Sequence, residues 1–114
     1  MPRFVVLAHD WPAPHLDLLI ERDGVLKAWR LPPEYDGITP CPAEANVDHR
    51  GQYLDCEGPV SGDRGTVTRW DAGTAEWEVT LPERIVVRLA GQRLNGHYEI
   101  VQRDRETWEL RRCE

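Results

Sequence analysis

No run in this chain of 114 residues approaches the roughly 18 apolar residues of a membrane span, and the stretch MPRFVVLAHD lacks the long apolar segment of a signal peptide. The expectation is a cytoplasmic protein with no membrane contact. Cysteine is scarce as well. Cys41, Cys56 and Cys113 form an odd set without a Cys-x-x-Cys spacing, which argues against a disulfide framework or a zinc ribbon and for free thiols. A basic excess is also missing: 14 Lys and Arg face 20 Asp and Glu, for a formal net charge of −6. Such a chain has no footprint for wrapping a duplex, so any nucleic-acid contact must be local. No internal repeat and no second composition is visible, and 40% hydrophobic content is enough for one modest core. Residues 1–114 are therefore expected to form a single domain.

What is present reads as β structure. Arg3 to Ala8 is a short apolar strand, and His15 to Arg22 is a second whose faces are ambiguous because Leu16, Leu18, Leu19 and Ile20 are all apolar. Asp23-Gly24 then predicts a tight hairpin, since both central residues of a type I′ turn need positive φ. Val25 to Leu31 returns as the third strand. Residues 32–42 hold four prolines and a glycine and read as a surface loop. Residues 46–56 read as a strand or bend, 58–65 as turns, and 65–71 as a strand. Asp71-Ala72-Gly73 reads as a turn. Alternation of Trp77, Val79 and Leu81 with Glu76, Glu78 and Thr80 predicts a half-buried strand, and further strands are expected at 84–90, 94–102 and 107–112. About eight short, mostly antiparallel strands predict an all-β fold, a small closed or partly open barrel or a sandwich.

One stretch concentrates chemistry. HDWPAPHLD, residues 9–17, holds two of the four histidines and two carboxylates. Alternation along a strand puts His15 and Asp17 on one side, about 6.6 Å apart at Cα. His9 ends the preceding strand, and two prolines in the link forbid a helix and favour an extended or turning connection that lets the three side chains converge. Two imidazoles and one carboxylate on one face of an ion suit Mn, Fe, Co or Zn; the plainer alternative is that these residues only fix turns. Of the five tryptophans, Trp29, Trp70, Trp77 and Trp108 fall inside expected strands and are assigned to the core. Trp11 stands between the candidate ligands, where it can wall the site or stack on a base.

These residues also carry a family resemblance. RFVVLAHDWPAPHLDLLIERDGVLKAW resembles the opening of the 3′-phosphoesterase domain of DNA ligase D, whose pattern runs RFVVQ, a His, a short linker, HYDFRLE and DGVLKSW. Downstream, DHRGQYLDCEGPV resembles that family's EDHPLDYADFEGTIP, and GTVTRWDAGT its GTVIVWDRGT. The resemblance implies a compact β-barrel phosphoesterase, usually Mn-dependent with Zn or Co as substitutes, that trims 3′-phosphate or 3′-ribonucleotide ends of DNA or RNA–DNA strands in end repair. It further implies that His9, His15 and Asp17 hold the metal, that His49 and Tyr53 contact phosphate as catalytic residues, and that a DNA ligase or end-joining proteins are partners.

The chain departs from the pattern at one important position. Where HYDFR has arginine, this sequence has Leu19, which offers no planar fork of donors for a phosphate. Arg3, Arg30, Arg50 and Arg64 are candidates to compensate. Two other readings stay open: a non-catalytic module that binds strand ends, and an unrelated two-histidine, one-carboxylate metalloenzyme of cupin or oxygenase type. His97, in NGHYEI, has no match in the family motifs and is assigned to strand structure.

Overall fold

Side-chain alternation along β1 (Arg3–His9) and β2 (His15–Arg22) explains the architecture, because both faces of these strands are buried. In the computed structural model, which describes residues 1–113, they are followed by β3 (Val25–Leu31), β4 (Cys41–His49), a short 3-10 helix (Gly51–Asp55), β5 (Gly58–Pro59), β6 (Thr66–Leu81), β7 (Arg84–Gly91), β8 (Asn95–Gln102) and β9 (Trp108–Cys113). The strands are joined in the order β1-β2-β3-β4-β9-β8-β7-β6, and β6 pairs back onto β1. Eight antiparallel strands thus close a barrel, with β5 a two-residue addition to β6. Closure leaves no long exposed edge.

Phe4, Val6, Leu16, Leu18 and Ile20 point inward and join Trp29, Leu31, Val87, Tyr98, Ile100 and Leu110 in the barrel interior. The alternate residues, Val5, Leu7 and Leu19, point outward and form a second cluster with Leu26, Ala28, Leu54 and Val67. Leu54 belongs to the 3-10 helix, so this segment roofs the outer wall of β1, β2 and β3. The uninterrupted apolar run in β2 has its reason here: each neighbour faces a different core. Fully burying one such leucine contributes about 1.5–3 kcal/mol. The Asp23-Gly24 hairpin forms as expected, with φ of 52° and 82°.

Two expectations need correction. Asp71-Ala72-Gly73 is no turn, because β6 runs unbroken through it, pairing with β1 through Arg3↔Thr74 and with β7 from Gly73↔Gly91 onward. The buried Asp71 carboxylate is used elsewhere, accepting backbone N–H groups of Gln92, Arg93 and Leu94 at 2.9, 3.1 and 2.8 Å and so holding the β7–β8 connection. Gly73 is required by crowding, since a Cβ there would lie 2.0 Å from the Ala90 carbonyl oxygen. The loop expected over 32–42 also ends early. β4 begins at Cys41, and Pro42 is tolerated because β3 pairs only from Glu44 onward, leaving that side of Pro42 free of ladder bonds.

Among the tryptophans, Trp29 is buried and Trp70, Trp77 and Trp108 pack part-buried against the interior, as assigned; Trp11 is 44% exposed. All three cysteines are free thiols. None of the described residues forms a helix long and apolar enough to cross a membrane.

Candidate metal and phosphate site

The barrel's register builds the site. His9 closes β1 and His15 opens β2, and the two are paired directly across the ladder, so they share the outer face. Asp17 lies two residues along β2 on that same face. Their donor atoms all fall within 4.8 Å of one another. The Asp10–Pro14 link between the strands is pinned to the start of β6 by Asp10, whose Oδ1 accepts the Thr66 N–H at 2.7 Å.

Hydrogen bonds settle which ring nitrogens face inward. A carbonyl oxygen only accepts, so His15 must carry its proton on Nδ1, donating to Ala13 at 2.8 Å, and His9 must carry one on Nε2, donating to Arg64 at 2.8 Å. The opposite nitrogens point at Asp17: His15 Nε2 is 3.2 Å and His9 Nδ1 is 3.8 Å from its Oδ2. All three side chains are at most 16% exposed. With both rings neutral, two lone pairs and a carboxylate converge in poorly hydrated space, an arrangement that a shared cation relieves. Backbone carbonyls that fix the tautomer of each ring are the usual outer support of metal-binding histidines. The donor set therefore fits a divalent transition ion.

The facing wall comes from β4 and the 3-10 helix. His49, the last residue of β4, donates Nδ1–H to the Val47 carbonyl at 2.8 Å, leaving Nε2 free, and its ring meets Tyr53 edge to face at 5.4 Å between centroids. A cavity of about 150 Å³ is lined by His9, Trp11, Asp17, Leu19, His49, Tyr53 and Arg64, with Leu7, Val60 and Val67 as its apolar floor. All six residues singled out in the sequence thus meet in one place, with His15 reaching it through Asp17. His97 stands apart on β8, where its Nδ1 lies 2.6 Å from Glu78.

The four candidate arginines separate clearly. Arg3 is paired with Asp55 at 2.9 Å, a bond that raises its own pKa and lowers that of the carboxyl. Arg30, opposite Asp17 in the register, lines a separate groove with His15 and Trp108. Arg50 lines a neighbouring depression that shares His49 and Tyr53 with the site. Arg64 alone among them lines the cavity, and its backbone also holds His9. Nothing in residue spacing signals this, because Arg64 is 55 positions away from His9. Asp10, which anchors the link, was equally silent in the sequence.

Fold and site together define a small all-β barrel protein with a candidate metal centre on its outer wall rather than in its interior. Comparison with known proteins narrows this. Residues 7–102 match the family described as the DNA Ligase D 3′-phosphoesterase domain, and the chain belongs to that family. It is 32% identical over 114 residues to the multifunctional non-homologous end joining protein LigD of Mycobacterium bovis, an alignment covering 92% of this chain and 15% of the relative. To the proteins of the same name from Mycolicibacterium smegmatis and Pseudomonas aeruginosa it is 30% identical, over 93% and 88% of its length and 16% and 13% of theirs. The chain thus spans about one-seventh of the curated relatives it matches.

Proposed function

We propose that this chain is a metal-dependent 3′-phosphoesterase that removes a 3′-phosphate or a single 3′-ribonucleotide from DNA or RNA–DNA ends, as one domain spanning residues 1–114. The observation that carries the reading is the convergence of His9 Nδ1, His15 Nε2 and Asp17 Oδ2 beside the free Nε2 of His49 and the ring of Tyr53. Family membership supports it; cupin and oxygenase readings have no such support.

In this scheme His9, His15 and Asp17 would hold the ion, with Mn preferred over Zn or Co. A bound divalent ion supplies Lewis-acid polarisation of the phosphate. The remaining steps belong to side chains. Tyr53 donates its O–H to a non-bridging phosphate oxygen, and Trp11 walls the opening against the terminal nucleotide. His49, protonated on Nε2, holds a phosphate oxygen or donates its proton to the departing oxygen as water attacks phosphorus and the P–O bond breaks. The water loses its proton to solvent. DNA ligase and end-joining proteins are the proposed partners, since a trimmed 3′-OH is what ligation consumes.

A primer-template ending in 3′-phosphate or one 3′-ribonucleotide, with Mn supplied, tests this. Trimming is expected, and His49→Ala should abolish it while the metal stays bound. Absence of trimming on every such end with Mn, Co or Zn refutes the catalytic reading. Leu19 favours one second reading, a module that binds 3′ ends without turnover; tight binding with no product under single-turnover conditions distinguishes it.

A further inference from the structure

We infer that Arg64 is the side chain that holds the substrate phosphate beside the metal in this chain, an assignment that rests on the phosphoesterase reading above. Among the described residues lining the cavity, Arg64 carries the one fixed positive charge. Position 19 cannot contribute one: Leu19 is 1% exposed and its side chain is part of the outer core. Phosphoryl transfer builds charge on the non-bridging oxygens, and a pre-aimed guanidinium is the side chain best suited to that charge.

Four observations single out Arg64. Its carbonyl accepts the Nε2–H of His9, so its backbone is locked to a metal-site residue. Its guanidinium is braced along one edge by Ser61, Nε donating to the carbonyl at 2.8 Å and Nη2 to Oγ at 3.4 Å. No carboxylate among the described residues pairs with it, and Nη1 has no protein partner there. The next residue, Gly65, has φ of 78° and packs so closely that a Cβ would lie 2.1 Å from Asp10 Oδ1 and 2.6 Å from the Trp11 Cβ. The loop before β6 is therefore clamped to the metal-ligand link, and Arg64 lines the cavity from that loop. The phosphate-binding cation has changed its place in the chain while keeping its place beside the site.

The test uses full-length protein, Mn and a 3′-phosphorylated primer-template. Arg64→Ala should keep the melting temperature and Mn affinity of wild type, because the backbone carbonyl that orients His9 is retained, and should lose about 100- to 1,000-fold in kcat/KM. Arg64→Lys should fall between the two, having charge without the fork. Added guanidinium should restore part of the Arg64→Ala rate, which a merely structural role does not allow. Full activity in Arg64→Ala overturns the inference and leaves the phosphoesterase reading standing. Loss of Mn affinity or folding in Arg64→Ala, without guanidinium rescue, overturns it in favour of a structural role. A wild type that neither trims nor binds the strand overturns both.

Discussion

Leu54→Ala separates the roof of the site from the barrel beneath it. Leu54 is 5% exposed and is the buried residue of the 3-10 helix, resting on the outer faces of β1 and β2. Removing three carbons at about 0.8 kcal/mol each weakens that seating by about 2.4 kcal/mol before any cavity is counted. The helix's other ties to the wall are part-buried packing of Tyr53 on the same cluster, a weak bond from Arg69 Nη2 to the Leu54 carbonyl at 3.5 Å and the exposed Arg3–Asp55 pair. Such a segment can lift locally without the barrel opening, so the loss appears as a rise of about 50-fold in the open population rather than as global unfolding. Tyr53 rides on that helix and His49 stands just before it, whereas the metal ligands do not. Mn affinity by calorimetry should therefore be unchanged while kcat/KM falls by tens-fold, and amides 50–56 should exchange faster. Leu18→Ala, inside the barrel, is the control, with an expected global loss of about 2.7–5 kcal/mol by denaturant titration. Local lifting of the helix is refuted if Leu54→Ala lowers global stability as much as Leu18→Ala does while exchange of 50–56 stays at the wild-type rate.

Alanine at His9, His15 or Asp17 should each weaken binding of one Mn or Zn ion substantially; unchanged calorimetric affinity in all three removes the basis of the site. Gly65→Ala combines a strained φ with contact on Asp10 and Trp11, and should reduce metal affinity by perturbing the link; a variant with wild-type affinity contradicts the clamp. Burial alone would raise the pKa of Glu99, but hydrogen bonds from Arg84 at 2.5 Å and Arg111 at 2.6 Å outweigh it and hold the carboxyl below its ordinary value. Its contribution is thus full above the ordinary carboxylate range and is lost as pH falls through the lowered value. Arg111→Ala lets that pKa rise, so acid unfolding followed by circular dichroism should begin at higher pH than in wild type, and an unchanged acid transition contradicts this. Binding to strand ends should show a shallow salt dependence, about 0.9 log units of K per phosphate contact; a slope implying more than roughly six contacts contradicts end-specific binding.

Much of the fold was legible because local rules and tertiary structure agree in it. Asp23-Gly24 needs positive φ wherever it sits, and the alternation in β6 after Thr74 follows from a half-buried strand. Asp71-Ala72-Gly73 misled because the same residue types that make turns also serve distant needs: one carboxylate caps another connection, and one glycine admits a neighbouring carbonyl. The triad's convergence was readable from strand alternation, since His15 and Asp17 are two apart. The outer core was not, because Leu18, Leu19 and Ile20 in succession do not say which face is roofed. Nor was Arg64, whose place depends on pairing between β1 and β6. Leu19 now has a physical reading as a packing residue of the outer cluster that also forms part of the cavity wall beside Asp17.

The seam between β1 and β6 imposes an order of events on the nascent chain. His9, His15 and Asp17 are synthesised well before β6, so the carbonyl that orients His9 and the strand that closes its wall arrive only with residues 64–74. Until then the ligands sit on an open hairpin. Closing a loop of this length carries an entropy cost that grows with its logarithm, and folds dominated by such distant pairings assemble in milliseconds to seconds rather than microseconds. Metal added during refolding therefore meets a competent site only after the barrel has shut, and the rate at which metal affinity appears should follow the rate of β6 docking.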